Sequence, residues 1–216
     1  MKITNKTKLF SFRYLFYDFV KLTSAIPGLI WFRPKWRFLN EKARGFIRGG
    51  AIAISNHDGF FDPIYLMFAI WYRRHRFICR KEFFDSWAKL FFKGFLCIPI
   101  DKSSFGMNSF REITDSLKAG YLVSMFPEGQ INSGDGIAAF KSGVVLMALQ
   151  GKVPIIPVYI RGKKHFWNRV IFVIGEAIDI QALYGDRPTF SQIESIAQLL
   201  HEREEKLKEY IQKEES

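Results

Sequence analysis

The chain has 216 residues, 48% of them hydrophobic and 17% aromatic with 23 Phe, and a formal charge of +11. That length suits one α/β or α+β domain, though it does not exclude two small ones, and the apolar surplus exceeds what one core needs, so some of it is expected to face lipid or an acyl chain. Cys79 and Cys97 are too far apart for a CxxC site and have no metal-ligand spacing around them, so two reduced thiols in a cytosolic protein are expected, with no metal.

Within residues 1–50, eleven Lys/Arg face only Asp18 and Glu41, so this end is drawn to anionic surfaces: phospholipid headgroups, coenzyme phosphates, an acidic carrier protein or nucleic acid. No nucleic-acid motif accompanies the charge, and no nucleic-acid partner is expected. Phe12, Leu15, Phe16, Phe19, Val20 and Thr23 recur at helical spacing, which predicts an amphipathic helix on the membrane surface or on the core. Arg13, Asp18, Lys21 and Pro27 interrupt the stretch, and the uncharged run Leu22 to Phe32 is too short to span a bilayer. Residues 1–40 are therefore read as a helical membrane-associating extension and residues 41–216 as the catalytic domain.

Ala51 to Ser55 reads as a buried strand, with Asn56-His57 at its carboxyl end. Pro63 then suits the first turn of a helix, with Asp62 as its N-cap. Phe77 to Cys79 predicts a strand, Phe84 to Phe95 an amphipathic helix, and Leu96 to Ile100 another strand. Asn108 to Ala119 predicts a helix stopped at Gly120, and Tyr121 to Phe126 a strand running into Pro127-Glu128-Gly129. A helix over Lys141 to Gln150, strands over Val153 to Ile160 and Val170 to Ile174, and a charged helix over Ser191 to Lys213 complete the chain. Strands alternating with helices predict an α/β domain with a largely parallel mixed sheet flanked by helices. Functional groups in such sheets gather beyond the carboxyl ends of the strands.

His57 and Asp62 straddle a strand-to-helix turn. A hydroxyl attacking an ester or thioester must lose its proton, and histidine is the side chain best tuned to take it, for about 10²–10⁴-fold. Asp62 would accept a bond from the other ring nitrogen and fix the tautomer. A GxSxG elbow is absent, which favours direct attack by the acceptor over an acyl-enzyme. A carboxylate at Glu128 would orient the acceptor hydroxyl.

Asn56-His57 through Asp62 resembles the His-x4-Asp motif of the glycerolipid acyltransferases, whose best-known members are the 1-acylglycerol-3-phosphate acyltransferases. Gly94 through Ile100-Asp101-Lys102, Phe126-Pro127-Glu128-Gly129 and Val153-Pro154-Ile155-Ile156-Pro157-Val158 are similar to the family's second, third and fourth blocks, in the family's order. The resemblance implies acyl transfer from acyl-CoA or acyl-carrier protein to a lysolipid hydroxyl, most directly 1-acylglycerol-3-phosphate to give phosphatidate, with no cofactor beyond the acyl donor. It implies His57 and Asp62 as the catalytic pair, Glu128 and Gly129 in the acceptor site, and a peripheral protein on an anionic membrane surface at its cytoplasmic face.

Two departures bear on the acceptor. Lys102 stands where the second block ordinarily ends in arginine, and Gln130-Ile131-Asn132 stands where the third ordinarily continues Thr-Arg-Ser. The resemblance implies that those arginines hold the acceptor's phosphate, which a guanidinium grips bidentately and an ammonium does not. Phosphate recognition is then expected from Lys102 with Lys141 or Arg161. The alternatives are a different lysolipid or amino-acid lipid acceptor, or a lipid-binding protein without turnover.

Overall fold

The computed structural model describes residues 12–85, 89–101, 106–132, 134, 136–162, 168–185 and 187–215. In chain order the elements are α1 (Phe12–Phe32), β1 (Lys35–Phe38), β2 (Ala51–Ile54), α2 (Asp62–Ala69), β3 (His75–Arg80), α3 (Lys89–Gly94), β4 (Ile98–Ile100), α4 (Met107–Lys118), β5 (Leu122–Met125), α5 (Gly143–Gly151), β6 (Ile155–Arg161), β7 (Ile171–Ile174), α6 (Ile180–Tyr184) and α7 (Phe190–Glu215). The strands form one sheet in the order β1-β7-β6-β2-β5-β3-β4. Every neighbouring pair is parallel except β6 with β7. The expected α/β domain with a largely parallel sheet, mixed at one end, is the fold.

Central strands read as unbroken apolar runs because both their faces are covered. Along β2, Ala51 and Ala53 pack with Tyr17, Leu66 and Ile70 in the layer of α1 and α2. Ile52 and Ile54 point the other way, into Ile113, Val144 and Leu200 from α4, α5 and α7.

The helix α1 is tied to this domain at several points. Tyr17 is fully buried, and its hydroxyl accepts from the His75 amide at 2.9 Å and donates to Met67 Sδ at 3.2 Å. Asp18 pairs with Arg74 at 2.6 Å, and the Lys21 ammonium donates to the Arg73 carbonyl at 3.1 Å. Gly28 admits the Phe68 ring and Gly94 admits Phe16, at approaches no Cβ allows. The opposite face leaves Leu15, Phe19, Leu22, Ile26 and Ile30 63–76% exposed. Of the predicted apolar stripe Leu15 and Phe19 turn outward while Val20 packs on the core, and Tyr14 and Tyr17, outside that stripe, hold the helix down. By length and composition Tyr14–Phe32 would suffice to cross a membrane.

His75 is fully buried beneath α1. Its Nε2 lies 3.1 Å from the Ile70 carbonyl and its Nδ1 2.7 Å from Ser124 Oγ. A carbonyl only accepts, so Nε2 carries the proton and Nδ1 accepts from the Ser124 hydroxyl. Burial pushes this imidazole down to about 3, against the Ile70 bond and helped by the Lys21 and Arg73 charges.

Local readings are corrected at three places. Phe61, not Asp62, occupies the N-cap of α2, Asp62 is the first helical residue, and its side chain is engaged elsewhere. The stretch read as one helix over Phe84 to Phe95 is a 3₁₀ turn at Lys81–Phe84 and the short α3, with residues 86–88 outside the described residues. Lys35–Phe38, within the stretch read as the extension, is an edge strand of the sheet paired to β7. Its alternating Lys/Arg and aromatic residues are all half-buried, which suits an edge and leaves a weak apolar signal.

Candidate active site

Parallel pairing brings two distant segments to one edge. Ile54 is in register with Met125 of β5 and with Pro157 of β6, so three residues further on His57 stands opposite Glu128 and beside Ile160. The Asn56 side chain extends the ladder: its Oδ1 accepts from the Ile160 amide at 2.8 Å and its Nδ2 donates to the Ile160 carbonyl at 2.9 Å. Nδ2 also donates to Asp58 at 2.8 Å.

The turn Gly59-Phe60-Phe61 then returns the chain so that Asp62 faces His57. His57 Nδ1 lies 3.0 Å from Asp62 Oδ2, which also accepts from the Gly59 amide at 2.7 Å. Because a carboxylate accepts, Nδ1 is the protonated nitrogen and Nε2 keeps its lone pair. Asp62 is 3% exposed, and the imidazole stacks on Phe126 with centroids 4.2 Å apart and planes 18° from parallel. The Asp62 carboxylate and the stacked Phe126 ring hold the imidazole in place.

The main chain of His57 is held from the β5 loop. Its amide donates to Glu128 Oε1 at 2.8 Å, and its carbonyl accepts from the Asn132 amide at 2.7 Å. Glu128 Oε2 accepts from the Ala138 amide at 3.0 Å, and the side chain is buried. The carboxylate expected to face an acceptor hydroxyl therefore has both oxygens on protein amides, because the register sets it against the backbone of the base. Gly129, at φ +76°, takes the left-handed turn that follows, and a Cβ there would run into the Lys141 ammonium. The Lys141 amide donates to the Pro127 carbonyl at 3.0 Å, which brings the lysine to this loop.

His57, Asp62, Glu128, Gly129 and Lys141 thus converge at one sheet edge, and Arg161 ends β6 along the same edge. Lys102 lies outside the described residues. Gln130 and Ile131 are exposed, with Ile131 at the position where the resemblance implies an arginine. The local field is acidic. Partial burial and the Asp62 charge push the Asp58 carboxyl up to about 6, with the Asn56 bond opposing and Glu128 adding.

One residue of the site escapes motif reading. Glu204 of α7 is fully buried, and its Oε1 accepts from the Asn56 amide at 2.7 Å. Its position was visible in the helix pattern: the apolar stripe Ala197, Leu200, Leu207 and Ile211 has a vacancy at 204, which a glutamate fills.

The arrangement offers an oriented base with a free lone pair at the open edge of a parallel sheet, which suits removal of a proton from a hydroxyl. Residues 37–161, more than half of the chain, match the family model described as Acyltransferase. The 1-acyl-sn-glycerol-3-phosphate acyltransferase of Bacillus subtilis (strain 168) is 28% identical over 160 residues, covering 71% of this chain and 79% of that protein. A probable 1-acyl-sn-glycerol-3-phosphate acyltransferase of Mycoplasma pneumoniae is 28% identical over 117 residues, 51% of this chain and 44% of that one. In structure, the 1-acyl-sn-glycerophosphate (LPA) acyltransferase PlsC from Thermotoga maritima superposes with a TM-score of 0.67 at 17% identity, covering 92% of this chain and 80% of that one. The matched segment runs from the edge strand β1 through β6 and so takes in both halves of the His57 edge, and on that ground the chain belongs to the acyltransferase family.

Proposed function

We propose that the enzyme moves a fatty acyl group from a thioester, acyl-CoA or acyl-carrier protein, to the free hydroxyl of 1-acylglycerol-3-phosphate, giving phosphatidate. The observation that carries the reading is the His57–Asp62 pair, with Nδ1–H committed to the carboxylate at 3.0 Å and Nε2 left as base; the names of the B. subtilis and M. pneumoniae relatives supply the acceptor.

In the reaction Nε2 takes the hydroxyl proton as the oxygen attacks the thioester carbon. Asp62 steadies the imidazolium that forms. The tetrahedral intermediate collapses with cleavage of the carbon–sulfur bond, and His57 returns its proton to the departing thiolate. One ester forms, one thioester breaks, and the imidazole ends neutral. Glu128 acts by holding the His57 amide. Lys141, whose ammonium lies beside Gly129, and Arg161 at the end of β6 are the described cations that would receive the acceptor's phosphate, and Lys102 is the further one that the sequence offers.

A membrane-surface location is supported by α1, whose outward face presents Leu15, Phe19, Leu22, Ile26 and Ile30 to solvent next to a strongly basic terminus. The bonds of Tyr17, Asp18 and Lys21 to the domain favour a helix lying in the interface over one crossing the bilayer.

A second reading rests on Gln130 and Ile131. A neutral, exposed pair at that turn favours an acceptor other than a phosphate monoester. The test incubates purified protein and vesicles with labelled acyl-CoA or acyl-carrier protein and either lysophosphatidate or lysolipids lacking a phosphate monoester. Phosphatidate is the expected product, absent with His57→Ala. Equal turnover by that variant removes the mechanism, and turnover confined to acceptors without the monoester selects the second reading.

A further inference from the structure

Among the polar groups that the proposed mechanism leaves unused, Glu204 stands apart. It projects from the C-terminal helix at a position whose helical neighbours Leu200, Leu207 and Ile211 are all apolar and buried, and it is itself 0% exposed. Burying a carboxyl is expensive unless it is bonded, so its presence in an apolar stripe calls for a reason. One oxygen has one: Oε1 accepts from the amide of Asn56, 148 residues away in sequence. The other, Oε2, has no hydrogen-bond partner among the described residues.

The amide that Glu204 takes is the one immediately before His57. Asn56 N–H goes to Glu204 and His57 N–H goes to Glu128, so two consecutive main-chain donors at the carboxyl end of β2 are each met by a carboxyl group from a different part of the fold. Among the described residues neither amide bonds a main-chain carbonyl of an adjacent strand: β2 has ended at Ile54, and the ladder beyond it is carried by side chains. An unpaired buried amide there would let the chain relax, and the imidazole it carries would turn with it. Burial, opposed by the Asn56 bond and reinforced by Glu128, Asp58 and Glu205, raises the Glu204 carboxyl well above the usual carboxylate range. A neutral acid keeps the acceptor oxygen and avoids adding one more charge to this cluster.

We propose that Glu204 is a positioning residue for the acyl transfer: by accepting the Asn56 amide from α7 it fixes the main-chain path into His57, which makes the C-terminal helix part of the active-site framework. The inference rests on the reading of His57 as the general base.

The experiment compares Glu204→Gln and Glu204→Leu with the wild-type chain. Gln keeps a neutral acceptor of the same reach. Leu restores the apolar stripe and removes the acceptor, so it also guards against loss of folding. In Glu204→Leu the orphaned Asn56 amide costs stability and removal of the buried carboxyl restores it, so the thermal midpoint should hold while kcat falls about 10- to 100-fold, with KM for donor and acceptor within about twofold, since a displacement of order 1 Å at a catalytic group costs about 10²-fold. Glu204→Gln should stay within about threefold of wild-type kcat. A merely structural role would lower stability and turnover together. Hydrogen–deuterium exchange across residues 55–58 reads the same bond without activity, and should quicken in the leucine variant alone. Unchanged exchange in Glu204→Leu, undiminished kcat in it, or an equal fall in Glu204→Gln overturns the proposal. A wild-type chain inactive on every lysolipid would instead remove the proposed function, and the exchange result would still decide the positioning role.

Discussion

Glu128→Gln separates two roles that motif reading merges. In the structure the carboxylate takes two amides, His57 at 2.8 Å and Ala138 at 3.0 Å, from a buried position. A glutamine has one oxygen and one NH₂, so it satisfies one amide and sets a donor against the other. Losing one bond to a charged acceptor costs about 1.5–3 kcal/mol. Stability to urea should drop by that amount. If His57 is the amide released, or is drawn about 1 Å as the loop adjusts, kcat should fall about 10²-fold while the acceptor KM changes by less than about twofold. The assays are urea unfolding and steady-state kinetics with donor and acceptor varied separately. Unchanged stability with a loss confined to the acceptor KM would refute the reasoning, because it would mean that the carboxylate meets the acceptor and not the backbone.

Asp62→Asn should lower kcat by about 10³- to 10⁴-fold with little change in either KM, since the amide no longer enforces the Nε2 lone pair or stabilises the imidazolium; a loss under tenfold would remove Asp62 from that role. Leu22→Asp with Ile26→Asp, both on the exposed face of α1, should abolish sedimentation with anionic vesicles and leave the thermal midpoint unchanged. Undiminished binding would place the membrane contact elsewhere. His75 predicts acid sensitivity. Its folded value of about 3 lies below the ordinary 6.5, so the unfolded chain binds the proton first and stability is lost as pH falls below about 6.5. Between pH 7 and pH 5 this residue alone removes about 2 kcal/mol, read by urea unfolding, and His75→Gln should flatten that slope. A slope identical in the variant would show that the imidazole is not the source.

The His57–Asp62 pairing was legible in the chain because it is local. His57 and Asp62 are five residues apart, a strand end and a helix start suffice to face them, and an apolar run before and Pro63 after announce both elements. The parallel fold was legible for the same reason, since apolar runs and helical periods record burial residue by residue. Short or half-exposed pieces were not. Lys35–Phe38 carries too little apolar signal to be told from a linker, and Phe84 to Phe95 has aromatic spacing that a turn and a short helix satisfy as well as one long helix.

Roles that depend on which segments meet lay beyond the sequence. Motif position suggests that Glu128 meets the substrate, but the register of β2 with β5 turns it to the His57 amide. Glu204 carries no motif, and its meaning appears only when α7 packs across the sheet and delivers it to Asn56. A hydrogen bond between groups 148 residues apart leaves no trace in local spacing. It exists because a buried amide needs an acceptor wherever one is brought, and the packing of the whole chain decides where that is.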